Sequence, residues 1–196
     1  MKNLIGRSGA FLGAALFSLV VFSSCQKQDL QAPALTAEAK GQAKSPAAEK
    51  GDMTIGEIAA GNGSFTQLVD ALTYTGLLDI FLTGTDQYTV FAPTDAAFEN
   101  LYDDLDITSI RDLPVETVTN VLLYHVTDGR RFSNSVLPKN GMRTISTLLD
   151  KPFYVNSGGG IDTNDGDMDA NSMITSANIS AKNGVIHVID TVLMPE

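Results

Sequence analysis

Tyr88-Thr89-Val90-Phe91-Ala92-Pro93-Thr94-Asp95-Ala96-Ala97-Phe98 is the stretch on which the fold turns. Its first five residues are β-branched, aromatic or small and apolar, the composition of a buried strand. Pro93 ends the run because it has no N–H to give to a sheet. Thr94 carries a hydroxyl that can cap a helix. Asp95 follows in the first turn, where the helix dipole and free backbone N–H groups favour a carboxylate. Phe91 and Phe98 are placed to fill a core from both sides. A strand turning tightly into a helix is predicted here.

Upstream, Ser64-Phe65-Thr66-Gln67 has the form of a capping box with Ser64 as N-cap. Phe65, Leu68, Val69 and Leu72 fall on one helical face, and Gly76 is placed to end that helix. Leu77, Leu78, Ile80 and Phe81 suggest a second short helix before Gly84. Downstream, Pro114 suits a first helical position, and Val115, Val118, Val121 and Leu122 carry a helix toward Tyr124-His125. The period then changes. Thr144–Leu148, Phe153–Val155, Met173–Thr175 and Val185–Ile189 read as short strands between turn residues. Asn183-Gly184 is the strongest hairpin signal, a pair suited to a turn whose two central residues both take positive φ. In the last strand Val185, His187 and Ile189 share one face and Ile186 and Val188 the other, and both faces read as buried. Helices first and strands later give an α+β fold with a substantially antiparallel sheet. No internal repeat is visible.

The first fifty residues bear on compartment. Met1, Lys2 and Arg7 make a basic start, Ala10 to Phe22 is almost unbroken apolar sequence, and Ser23-Ser24 precede Cys25, the single cysteine. Residues 1–24 read as a secretory signal peptide, with a short uncleaved membrane anchor as the other reading. Phe22-Ser23-Ser24-Cys25 resembles a lipobox, with Phe22 in place of the commoner leucine. Lipidation of Cys25 by several acyl chains (palmitate among them) would anchor the chain stably to a membrane. Lys27 stands where an aspartate would favour inner-membrane retention, so an outer-membrane lipoprotein is expected, periplasmic or surface-exposed. Residues 25–50 are rich in Gln, Ala, Lys, Pro and Glu and read as a flexible lipid-anchored tether, spanning roughly 25–30 Å as a random coil. The domain occupies residues 51–196. Loss of residues 1–24 leaves eleven basic against twenty-three acidic side chains, a net of −12. Such a surface repels phosphate backbones, and no nucleic-acid partner is expected.

Thr89 to Phe98 resembles the first signature of the fasciclin family. Asn183-Gly184-Val185-Ile186-His187-Val188-Ile189-Asp190, with Val192-Leu193-Met194-Pro195 behind it, resembles the second, and Leu123-Tyr124-His125-Val126 matches the Tyr-His motif between them. The resemblance covers about residues 52–195. It implies N-terminal helices packed on a mostly antiparallel β-sandwich or wedge, no required cofactor, and an adhesion or protein–protein interaction module. The motif positions Thr89, Phe91, Pro93, Thr94, Asp95, Phe98, Tyr124, His125, Asn183, Gly184, His187 and Asp190 identify a fold more than a site, and both histidines read as hydrogen-bonded core residues. In some animal members an Asp-Ile pair before the Asn-Gly turn is linked to integrin recognition. Asn178 and Ile179 stand there, so the aspartate is missing and integrin binding is not implied.

Catalytic machinery is not legible. No nucleophile elbow, P-loop or dinucleotide fingerprint occurs, and His125 and His187 have no cysteine pair to complete a zinc site. No catalytic residue is assigned and the chain is read as a non-enzyme. Asp162-Thr163-Asn164-Asp165-Gly166-Asp167-Met168-Asp169 clusters oxygen ligands on one loop. Asp162, Asp165, Asp167 and Asp169 are candidate calcium ligands, although EF-hand spacing fails. The other reading is a solvated loop at a hairpin tip. Two functions are weighed: an adhesion module with an unknown protein or glycan partner at the cell surface, and a calcium-assisted glycan-binding module using residues 162–169.

Overall fold

Three short helices precede the first strand in the computed structural model, which describes residues 50–164, 166 and 170–195: α1 (Ile55–Gly61), α2 (Thr66–Tyr74) and α3 (Leu78–Thr83). Next come β1 (Tyr88–Pro93), α4 (Asp95–Leu105), a 3-10 turn (Ile110–Asp112), α5 (Val115–Tyr124), β2 (Val126–Asp128) and α6 (Ser133–Val136). Then β3 (Met142–Ser146), β4 (Pro152–Asn156), β5 (Gly160–Asp162), β6 (Ser172–Ala181) and β7 (Gly184–Ile189) complete the chain. The signal segment, Cys25 and the tether up to residue 49 lie outside the described residues, as do Asp165, Asp167 and Asp169. No described helix is long and apolar enough to cross a membrane.

The opening stretch folds as its chemistry dictates. β1 feeds α4 directly, and Thr94 Oγ1 accepts the Ala97 N–H at 3.3 Å as the N-cap. Helix α1 starts on a capping box, Thr54 accepting from Glu57 N at 3.2 Å and Glu57 accepting from Thr54 N at 2.7 Å. That box is written as Thr54-Ile55-Gly56-Glu57 and was open to sequence reading, yet the helix is absent from the elements inferred above. Helix α2 ends as expected: Gly76 takes φ +73° and Leu77 N–H reaches Leu72 O at 2.9 Å, a Schellman closure. Pro114 is the N-cap of α5 rather than its first helical residue, a shift of one position.

Among the described residues seven strands form one sheet in the order β2-β1-β7-β6-β5-β4-β3. Only β1 and β7 run parallel, with Tyr88 opposite Gly184 and Phe91 opposite His187; the remaining pairs are antiparallel. The α+β class and the mostly antiparallel sheet therefore hold. Strand β5 is not among the strands inferred from sequence and runs into the Asp-rich loop, sharing Asp162 with it, and β6 is far longer than Met173–Thr175. The register of β6 on β7 slips on both sides of Ser176, and Asn178 sits there at φ +67°. These irregularities bend the sheet. Its two edges come together where Thr127 Oγ1 donates to Ser146 O at 2.6 Å and Leu148 N–H to Val126 O at 2.8 Å. Leu148 belongs to that closure rather than to β3.

The bend makes two cores. Ile186 and Val188 of β7, with Val90 and Ala92 of β1, face helices α1, α2, α4 and α5 through Ile55, Phe65, Leu72, Phe98 and Val121. Phe91 and Ile189 on the opposite face meet Ile145, Phe153, Val155 and Ile161 of β3 to β5. Phe91 and Phe153 stack edge to face with centroids 4.9 Å apart. Both faces of β7 are buried, as the sequence implied.

Candidate functional site

The three motifs converge on the centre of the sheet. Phe91 N–H donates to His125 O at 2.9 Å, and the Phe91 ring lies 5.5 Å from that of His187. His125 caps α5, where its Nδ1 faces Val121 O at 2.7 Å. Its Nε2 accepts the Leu193 N–H at 2.9 Å, which fixes the neutral tautomer with the proton on Nδ1. Burial drives the His125 pKa down to about 4, against a smaller upward pull from Val121 O. His187 is also buried and its pKa is lowered by desolvation, the Arg131 carbonyl opposing. Its Nε2 faces Arg131 O at 2.9 Å and its Nδ1 the Asn178 N–H at 3.4 Å. Both imidazoles are neutral core residues with both ring nitrogens engaged, and neither is presented to a substrate.

Other motif residues are consumed in the same way. Thr89 Oγ1 donates to Gly129 O at 2.7 Å and accepts from Arg131 N at 2.8 Å. Tyr124 OH donates to Pro152 O at 3.0 Å, tying α5 to β4. Asp190 accepts from Met173 N at 2.8 Å and fastens the start of β6 to the end of β7. Pro93 ends β1 and Phe98 is buried in the helix-side core.

Two motif residues work differently from their sequence reading. Ser64 does not cap α2: the N-cap position is Phe65, and the cap comes from Asp95, which accepts Gln67 N–H at 2.8 Å and Thr66 Oγ1–H at 2.7 Å. Asp95 of the first signature thus caps the start of a helix, its partner Gln67 lying 28 residues earlier in the chain. Asn183 does not take positive φ, and neither does Gly184. Ala181 pairs with Gly184, so the turn residues are Lys182 and Asn183, one position earlier than expected. Asn183 is instead a buried clamp, its Oδ1 accepting Ile55 N–H at 2.8 Å and its Nδ2 donating to Phe81 O at 3.0 Å. Gly184 is required by crowding, since a Cβ there would collide with Tyr88 O and Ile55 Cδ1.

Of the candidate calcium ligands, Asp162 alone is described. It is fully buried, with Oδ1 accepting Asn164 N–H at 2.9 Å and Oδ2 accepting Gly166 N–H at 2.8 Å. That is the geometry of a residue ordering its own turn. Among the described residues no cluster of three or more His, Cys, Asp or Glu side chains could hold a metal. At the integrin-linked positions, Asn178 accepts Ser133 N–H at 2.6 Å and donates to Ser133 Oγ at 2.8 Å, while Ile179 packs on the helix-side core. Asn178 is a linchpin that the sequence reading missed; an asparagine inside a strand-like run was its signal.

The void beside His125 holds about 20 Å³ between apolar walls that include Phe65, Leu72 and Phe81. A groove of about 390 Å³ runs between Lys50, Thr54, Leu82 and Lys182 on the surface. Another, about 210 Å³, lies between α4 and the C-terminal segment near Asn100, Asp104 and Asn171.

Comparison with known proteins agrees with this geometry. Immunogenic protein MPB70 of Mycobacterium bovis is 30% identical over 205 aligned residues, covering 100% of this chain and 98% of that protein. The cell surface glycolipoprotein MPB83 of the same species is 29% identical over 176 residues, 87% of this chain and 70% of that one. A solved FAS1 domain pair from the insect cell adhesion molecule fasciclin I superposes with TM-score 0.56 at 15% identity, over 73% of this chain and 51% of that chain. The chain thus spans about half of that pair and shares its fold. The Fasciclin domain profile matches residues 63–195, from just before α2 to the last described residue. The chain belongs to the fasciclin domain family.

Proposed function

We propose that this protein is a lipid-anchored, extracytoplasmic adhesion or protein–protein interaction module without catalytic activity. One observation carries the reading: among the described residues no buried side-chain nitrogen or oxygen lacks a hydrogen-bond partner. The buried signature residues are thus engaged in holding the fold together, which supports recognition by the exposed surface. The basic start, apolar run and Cys25 motif support export and lipidation. The relative named as a cell surface glycolipoprotein and the cell adhesion molecule of shared fold point the same way. Acyl chains on Cys25 would hold the domain at the outer membrane and residues 26–50 would act as its leash.

The test compares surface attachment and clumping of cells lacking the protein with cells carrying the wild type or Cys25→Ala. Loss on deletion, rescued by the wild type and not by Cys25→Ala, is expected, and chelation of calcium should spare attachment. Equal attachment in all strains would sink the reading.

A further inference from the structure

The charged groups are unevenly placed. Residues 66–128 carry eleven acidic side chains and a single cation, Arg111, which is already paired with Asp70 at 2.5 Å. Lys50 and Lys182, both exposed, line the 390 Å³ groove. Arg130 adds a third cation at the same turn, its guanidinium donating to Ala181 O at 2.6 Å and Ser180 Oγ at 2.8 Å. Three carboxylates share the corner: Asp52, Glu57, whose Oε2 is taken by Thr54, and Asp86, between the groove residues Thr85 and Gln87. Apolar surface lies beside the cations. Met53 is 48% exposed, and its carbonyl accepts the Lys182 N–H at 2.7 Å; Leu82 forms a groove wall. This corner is also where the chain enters the domain from Cys25, twenty-five residues before Lys50.

We propose that this corner is a membrane-facing surface: Lys50 and Lys182 engage the phosphates of anionic phospholipid headgroups while Met53 enters the interface, so that the anchored domain docks on the leaflet. The inference rests on the lipid anchor proposed above. If residues 25–50 act as the tether proposed above, they would keep the corner within reach of the bilayer and raise its local concentration there. Cations flanking an exposed apolar side chain match the chemistry of a headgroup layer, and the acidic helical side is repelled by it. Docking would therefore fix which face points away from the membrane.

The chain contains no tryptophan, so a single introduced one reports without background. The lipidated protein carrying Met53→Trp would be reconstituted in vesicles of equimolar phosphatidylcholine and phosphatidylglycerol, with brominated lipid as quencher. Strong quenching is expected for Met53→Trp and not for Leu105→Trp, on the acidic helix α4. Quenching should fade in pure phosphatidylcholine and in high salt. Lys50→Glu with Lys182→Glu should weaken docking by more than about a hundredfold, since each of the four charge units changed counts for roughly a factor of five near the surface. Lys139→Glu with Lys151→Glu, the same charge change elsewhere, should not. Equal loss in both double variants, or no difference between the two tryptophan probes, would overturn the docking surface while leaving the anchor intact. Recovery of the wild type in the aqueous phase on detergent partitioning would overturn the anchor, and this inference with it. A Met53→Trp blue shift that grows with protein concentration in lipid-free detergent would assign the corner to a second copy and also overturn the proposal.

Discussion

At the scale of one residue, His125 shows how burial turns a titratable group into a structural one. Its folded pKa is about 4 against an ordinary 6.5, so the neutral ring is the native one and the unfolded chain binds the proton more tightly. The contribution is fully present above pH 6.5 and is lost as pH falls through the window down to about 4. Its size is on the order of 3 kcal/mol. His187, also lowered, acts in the same direction. Urea midpoints measured between neutral pH and pH 4 should fall steeply for the wild type. The fall should be shallower for His125→Gln, which keeps an acceptor for Leu193 N–H but cannot titrate. Parallel curves would show that the stability loss comes from other groups. The residue type and its burial were legible from Leu122, Leu123 and Val126 around it; the partner 68 positions away, Leu193, was not. Asp95 teaches the same lesson. Its aptitude for bonding free N–H groups was readable, whereas the helix it serves is not its own.

At the scale of elements, the join between β6 and β7 holds helices α1 and α3 on the sheet. If Asn183 were selected for positive φ, Asn183→Gly would be tolerated, because glycine adopts that region freely. Its bonds to Ile55 and Phe81 predict otherwise: Asn183→Gly and Asn183→Ala should both cost about 2–4 kcal/mol, since each strands a buried donor and acceptor. Gly184→Ala should cost about 2 kcal/mol or more by forcing β1 away from β7. Chemical denaturation of the three variants checks both claims, and a stable Asn183→Gly would restore the turn interpretation. Element types and order could be read wherever periodicity was strong, as in α2, α5 and β7. Strand β5 could not, because Gly160-Ile161-Asp162 is too short and glycine-flanked to show alternation. Bulged β6 hid for a related reason, its two register slips breaking the period of two on which strand reading depends.

At the scale of the molecule, fold class and family were legible because the signatures record long-range packing in compressed form. The outward surface was not, since exposure depends on neighbours brought from elsewhere in the chain. The parallel pairing of β1 with β7 has a further consequence for biogenesis. Tyr88 meets Gly184 across roughly a hundred intervening residues, so the middle of the sheet closes only when nearly the last segment has been made. Ribosome-stalled chains ending before Gly184 should be cut readily by protease, and chains extended beyond Pro195 should resist. A nascent polypeptide that cannot complete its core early remains threadable, which suits the export through a translocon that the proposed function requires.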